Sequence, residues 1–289
     1  AMAIAVRIAR AATGREKIAF CGYHGWHDWY LAANLGANDA LDGHLLPGLD
    51  PAGVPRSLKG TAIPFNYNQL IELEQIVSEK GNDIAAIVME PVRNIEPASG
   101  FLQGCRKLAK KTGAVFIFDE ISAAFRLNTG GAHLIYDVEP DIAVFSKALG
   151  NGYPIAAVIG TSQVMDAALK SFISSTYWTE RIGPVAAIAT IKKHKGKNVS
   201  SHLVQLGCAM QEGWKSLGNK HGFNLKIGGI PPLSHFTFEN ENALLMRTYF
   251  VECMLNKGFL ASASFYPMYA HTMDHIHEYL NAADQSFKL

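Results

Sequence analysis

Lys147 and Asp119 are the two residues of this chain whose types and positions suggest covalent chemistry. Lys147 lies in AVFSKALGNGYPIAAVIG, residues 143–160, at the end of an apolar run and just before a glycine-rich turn. Asp119 is the first acid after the apolar run AVFIF at 114–118. A lysine amine in nearly apolar surroundings gives up its proton more readily and can then form a Schiff base with an aldehyde. A carboxylate emerging from a buried strand needs a partner, because an unpaired buried charge is costly. The two residues could form a structural ion pair with each other, or each could hold a different end of one ligand; Lys147 by itself also reads as a solvated side chain at a strand end. Pyridoxal phosphate is the common aldehyde cofactor. It asks for a lysine at the aldehyde, a carboxylate at the ring nitrogen, an apolar or aromatic face for the ring, and donors for the phosphate.

The elements that must position these groups follow from periodicity. Ile4, Ala5, Ile8 and Ala12 recur at helical spacing, so AMAIAVRIARAATGREK reads as the interior helix of a domain running into a strand, not as a targeting segment. IAAIVME at 84–90 reads as a buried strand. GFLQGCRKLAKKTG at 100–113 reads as a helix with Leu102, Cys105 and Leu108 on one face and Gly113 just past its end. Residues 114–121, 141–149 and 155–160 read as further strands, and 162–172 and 183–196 as helices. This alternation predicts an α/β fold, a mostly parallel sheet with covering helices. Such sheets bind ligands at the carboxyl ends of their strands, where Glu90, Asp119 and Lys147 all fall. Beyond about residue 197 the pattern changes to a long helix at 198–219, strand-like FNLKIGG and LSHFTFEN, a helix at 241–257 and an amphipathic helix from Met273. The expected organisation is a large cofactor-binding α/β domain over 1–196 and a small C-terminal α+β domain over 197–289.

With these residues in place the chain resembles a known family. VFIFDEISAAFR followed by PDIAVFSKALGNGYPIAAVIG is similar to the signature of the class III pyridoxal-phosphate aminotransferases, especially the branch that includes glutamate-1-semialdehyde aminomutase. RAATGREKIAFCGYHGWHDWY resembles that branch's segment leading to a Tyr-His-Gly turn, and VMEPVRNIEPASGFL its Glu-Pro strand end. The resemblance covers nearly the whole chain and implies a fold-type I enzyme with pyridoxal 5'-phosphate as cofactor. It makes Lys147 the Schiff-base lysine, Asp119 the partner of the ring nitrogen, Ile121 a packing residue on one ring face and Tyr23 the stacking residue on the other, with His24 in the same turn. It further implies transfer of an amino group between an amine or amino acid and a carbonyl acceptor, or alternatively a 2,1-aminomutase of the glutamate-1-semialdehyde type or a catalytically inactive truncated homologue. The partners implied are small-molecule donor and acceptor and a second copy of the chain, in a homodimer whose site is shared across the interface.

Two departures from the family pattern stand out. In STYWTERIGPVAAIAT the family's phosphate-contacting Thr corresponds to Thr179, but Trp178, Glu180 and Arg181 replace small neighbours, so Trp178 becomes a candidate at the mouth of the substrate pocket. The family portion with a Ser/Gly-rich loop cradling the phosphate at a helix N-terminus is expected to precede Ala1, so the chain reads as beginning just inside the following helix.

Other signals are weaker. The 289 residues are 48% hydrophobic and 18% charged with net charge +1, so no bulk field argues for nucleic acid or a membrane surface. No apolar run reaches the roughly 18 residues of a membrane helix. Cys21, Cys105, Cys208 and Cys253 form no CxxC pair, which fits a reducing, cytoplasmic setting. His24, His27 and Asp28 lack the company of a zinc motif, so no metal is expected, and Trp26, Trp29 and Tyr30 read as packing residues. Arg126 could bind a substrate carboxylate bidentately or pair with a nearby acid. KKHKGK at 192–197 reads as the solvated basic end of a helix.

Overall fold

The computed structural model describes residues 1–44 and 46–288, and the chain divides into two compact units. The first comprises Ala1–Pro91, Pro97–Ala124 and Gly130–Ile191; the second comprises Val92–Glu96, Phe125–Thr129 and the chain from Lys192 onward.

In the first unit six strands, β1 (Lys17–Cys21), β2 (Ala62–Pro64), β3 (Ile84–Met89), β4 (Val115–Asp119), β5 (Ile142–Phe145) and β6 (Ala157–Gly160), form one sheet in the order β2-β1-β3-β4-β5-β6. All neighbours are parallel except β5 and β6, which are antiparallel. Helices α1 (Met2–Thr13), α2 (Asp28–Leu31), α3 (Leu70–Lys80), α4 (Phe101–Thr112) and α5 (Ser162–Lys170) belong to the same unit. Successive strand residues point to opposite faces. Ile18, Phe20, Val88, Ile117 and Val144 therefore join one core with Met2, Ala5, Val6, Ile8 and Ala9 of α1. Ala19, Cys21, Ile87, Met89, Phe116 and Phe118 join the other with Leu73 and Val77 of α3 and Phe101, Leu102, Cys105 and Ala109 of α4. A sheet covered on both faces explains why β3 and β4 are buried at every position. Gly113 ends α4 at φ 70, the left-handed turn its sequence position suggests.

A polar clamp sets the register of β5. Arg106 of α4 grips Asp141 bidentately, Nη1 to Oδ2 at 2.7 Å and Nη2 to Oδ1 at 2.9 Å, and Asp141 Oδ2 also accepts the Phe116 amide of β4 at 2.8 Å. The strand expected over 141–149 is shorter than its apolar pattern. It ends at Phe145, and residues 147–149 form a 3-10 turn. The strand expected over 114–121 likewise ends at Asp119, where the chain turns.

Helix α6 (Ile182–Gly196) runs from the first unit into the second. The second unit holds α7 (Val199–His221), α8 (Ala243–Asn256), α9 (Met273–Ser286) and an antiparallel sheet β7-β8-β9 of Leu225–Gly228, Ser234–Phe238 and Ser264–Phe265. Its core is aromatic, with Trp214, Phe236, Phe238, Phe250 and Phe287 packed together. The basic stretch 192–197 departs from the solvated reading at one residue. His194 is buried, with Nε2 3.0 Å from the Phe125 carbonyl oxygen and Nδ1 2.8 Å from Thr129 Oγ1. Among the described residues no helix is long and apolar enough to cross a membrane.

Candidate active site

Strands β1, β3, β4 and β5 all run in one direction, so their carboxyl ends lie along one edge of the sheet. Asp119 is the last residue of β4 and is 4% exposed. Its Oδ2 lies 2.8 Å from His24 Nδ1, and its Oδ1 accepts the Ile121 amide at 3.0 Å. His24 is itself buried in the turn after β1, and its Nε2 lies 3.0 Å from the Cys21 carbonyl oxygen. A carbonyl only accepts, so Nε2 donates there, and Nδ1 is the ring nitrogen left to meet the Asp119 carboxylate. The turn carrying Tyr23 and His24 starts at Gly22, whose φ of 105 is open to glycine; a side chain there would also press on Glu90 Oε2, 3.3 Å from the position of a Cβ. Glu90 follows β3 and is buried. Tyr23 is half-buried and meets Tyr30 edge to face at 5.7 Å, and Ile121 packs half-buried against the α1-side core. Burial, helped by the neighbouring Tyr23 hydroxyl, pushes the Tyr30 phenol well above its ordinary pKa.

Lys147 begins the turn after β5. Its φ is 46, a left-handed conformation that is rare and strained for a residue with a side chain. The side chain is open to solvent and its Nζ donates to Ser122 Oγ at 2.7 Å. The two residues singled out from the sequence are thus joined through one loop: Asp119 ends β4, and Ser122, three residues later, holds the Lys147 amine. Asn151 at φ 47 and Gly152 at φ 103 give the tight turn expected from GNG.

Other expected residues stand differently. Thr179 and Trp178 are exposed on the turn at 176–179, and the Glu180 carboxylate accepts the Ile182 and Gly183 amides at the start of α6. Arg126 belongs to the second unit, where Nη1 donates to the Pro267 carbonyl at 3.5 Å and the guanidinium lies 5.8 Å from the Tyr266 ring centre; among the described residues it forms no ion pair with an acid. Desolvation lowers its pKa from the ordinary arginine value. Ser122 was not anticipated. The signal was present as a hydroxyl three residues after the acid in DEIS. Among the described residues no group of three His, Cys, Asp or Glu side chains is arranged to hold a metal ion.

Residues 1–286 match the aminotransferase class-III family. The chain belongs to that family. Among its relatives, 3-aminobutyryl-CoA aminotransferase of Cloacimonas acidaminovorans (strain Evry) is 32% identical over 284 residues, covering 94% of this chain and 64% of the relative. Glutamate-1-semialdehyde 2,1-aminomutase of Sulfurihydrogenibium sp. (strain YO3AOP1) is 30% identical over 98% of this chain and 71% of its own length. The solved structure described as the PLP internal aldimine form of the FumI protein of Sphingopyxis sp. MTA144 superposes with a TM-score of 0.88 at 26% identity, covering 99% of this chain and 68% of that one. This class-III chain therefore spans about two thirds of the length of the proteins it matches. Its fold is that of the fold-type I pyridoxal-phosphate transferases, and the cofactor of the family is pyridoxal phosphate.

The residues present suit that group on their own chemistry. A primary amine stands beside a hydroxyl on a turn, a buried carboxylate lies 2.8 Å from an imidazole nitrogen, and an aromatic and an aliphatic side chain flank the same strand ends. Lys147 would hold the aldehyde carbon, Asp119 the ring nitrogen, and Tyr23 and Ile121 the ring faces.

Proposed function

We propose that the protein catalyses pyridoxal-phosphate-dependent transfer of an amino group from an amine or amino acid to a carbonyl acceptor, with Lys147 as the catalytic residue. The observation that carries this reading is a pair of contacts at the carboxyl edge of the sheet, Lys147 with Ser122 and His24 with Asp119, on the loop that joins Asp119 to Ser122. When bound there, the cofactor supplies an electron-withdrawing ring that accepts the electron pair left as a substrate C–H bond is broken. The Lys147 amine, once neutral, takes the proton from the substrate carbon and returns it at the neighbouring position. Ser122 Oγ holds Nζ in place between those two events. Asp119 keeps a proton on the ring nitrogen, and His24 fixes the carboxylate. Tyr23 and Ile121 confine the ring between aromatic and aliphatic surfaces and exclude water from its faces.

We further propose a homodimer in which Thr179, on its exposed turn, reaches a cofactor phosphate in the partner subunit. The broad apolar exposure around that turn, with Phe172, Tyr177, Trp178, Ile182 and Val185 all more than half exposed, supports a covered surface. Arg126, Glu90 and Trp178 remain candidates for substrate selection, and a cytoplasmic setting is proposed from the scattered cysteines. Glutamate-1-semialdehyde aminomutase chemistry is the second reading, favoured by the relatives bearing that name. Incubating cofactor-loaded protein with one amine at a time distinguishes the two. A transaminase releases a stoichiometric carbonyl product in the absence of an acceptor, whereas an aminomutase returns an isomer of the added compound. No product from any amine in a broad panel, with cofactor bound, would sink both.

A further inference from the structure

A second concave site lies in the first unit among residues that the amine-transfer chemistry does not use. A cavity of about 390 Å³ is lined by Arg7, Arg10, His27, Asp28, Trp29 and Leu58, among others. That volume falls at the small end of the range for ligand pockets, roughly 300–1,000 Å³. Two of its side chains carry buried N–H groups without a hydrogen-bond partner, Arg10 Nη2 and Trp29 Nε1. Buried donors are almost always satisfied, so an orphaned pair lining one cavity asks for an acceptor. Trp29 is only 5% exposed, which rules out bulk water as the ready answer for its indole N–H.

The sign of the missing acceptor follows from the charges. Arg10 already spends Nε on the Glu16 carbonyl at 2.9 Å, which fixes the guanidinium and leaves the buried Nη2 without a partner among the described residues. Arg7 adds a second guanidinium and His27 another ring nitrogen, against a single carboxylate, Asp28. A guanidinium edge beside an indole N–H suits an oxygen-rich anion, which can accept from both at once. Burial also lowers the pKa of the Arg10 guanidinium from its ordinary value, with Glu16 offsetting part of the effect, as expected for a cation lacking its full complement of anionic neighbours.

We infer that this cavity is a binding site for a small oxyanion, a phosphate or carboxylate group, held by Arg10 and Trp29. The site is independent of the proposed amine transfer. Its link to that chemistry is structural: the Trp29 ring stacks on His24 at 6.1 Å and 23°, and His24 holds Asp119.

The test uses calorimetric titration of the cofactor-loaded protein, freed of excess cofactor, with inorganic phosphate and separately with succinate at constant ionic strength. Saturable binding of either is expected, and the ligand that binds more tightly identifies the phosphate or the carboxylate class. Trp29→Phe removes the N–H and leaves a smaller aromatic ring in its place; Arg10→Gln removes the charge and keeps a polar side chain. Each should weaken binding about tenfold or more, since a hydrogen bond to a charged group is worth at least one decade. Lys147→Ala should leave this binding unchanged. Absence of saturable binding of both ligands overturns the inference, as does equal affinity in the parent and both correctly folded variants by circular dichroism.

Discussion

Replacing His24 with Phe isolates the contribution of the buried His24–Asp119 pair. Phe preserves a planar ring against Trp29 and Phe20, the neighbours His24 touches at 6.1 and 6.2 Å, while deleting both ring nitrogens. The side chains of His24 and Asp119 are 0% and 5% exposed, so the carboxylate left behind cannot recruit bulk water. Removing one member of a buried pair costs about 3–5 kcal/mol. Asp119 retains the Ile121 amide, which places it near the lower figure, about 3 kcal/mol. Loss of the hydrogen bond to the Cys21 carbonyl adds about 1 kcal/mol. The total of about 4 kcal/mol corresponds to a roughly thousandfold rise in local opening, at about 1.4 kcal/mol per decade. Because two units need not unfold together, the measurement should be hydrogen exchange at Ile117 and Phe118 in β4 and not a global melt. In an Asp119→Asn background the same change should cost about 1–2 kcal/mol, since no charge is stranded, so the double-mutant cycle should return a coupling of about 2 kcal/mol. A coupling below about 0.5 kcal/mol would refute a stabilising contact between His24 and Asp119.

Lys147→Ala should abolish the adduct trapped on the protein by borohydride reduction in the presence of pyridoxal phosphate, with the near-ultraviolet circular dichroism unchanged, because the side chain is exposed and contributes little core volume. Ser122→Ala should leave cofactor content intact and lower the rate of the first half-reaction about tenfold, the equivalent of one hydrogen bond to the amine; an unchanged rate would remove Ser122 from the mechanism. Burial lowers the His194 pKa, outweighing the Phe125 carbonyl that raises it, so the folded state holds the imidazole neutral more strongly than the unfolded chain does. Its contribution to stability is complete above the unfolded pKa of about 6.5 and is lost as pH falls from there towards the depressed folded value. His194→Gln should therefore flatten the acid side of the stability profile of the second unit, as read by hydrogen exchange in α7 between neutral and mildly acid pH.

The α/β alternation was legible because each strand of the first unit is a short apolar run and each covering helix repeats its apolar face. Direction was not. IAAVIG carries the same apolar signal as its parallel neighbours, and only the short turn after Lys147 returns the chain to make β6 antiparallel. The strand around Lys147 was overextended because Ala148 and Leu149 continue the apolar pattern, whereas the chain leaves the sheet by a backbone angle at Lys147 that composition does not encode. His194 looked solvated among four lysines because its acceptor at Phe125 lies 69 residues away, and nothing in KKHKGK announces a distant carbonyl. The proximity of His24 and Asp119 was legible only through the resemblance, which carries motifs as blocks, because the two residues lie 95 positions apart. Ser122 and the cavity at Arg10 and Trp29 were not, since one is a single hydroxyl in a loop and the other is a pattern of missing partners.

The left-handed backbone at Lys147 sets stability against the proposed function at one position. A side chain in that conformation costs roughly 1–2 kcal/mol, and Asn bears it better than Lys. Lys147→Asn should raise the stability of the first unit while ending its chemistry. A library of variants screened for thermal resistance alone would accordingly enrich substitutions at the residue to which the proposed chemistry is assigned, and would select against that chemistry unnoticed. Any engineering campaign on this chain needs an activity gate at every round, with position 147 held fixed and stability sought in places such as the Arg106–Asp141 clamp, where tighter packing carries no chemical penalty.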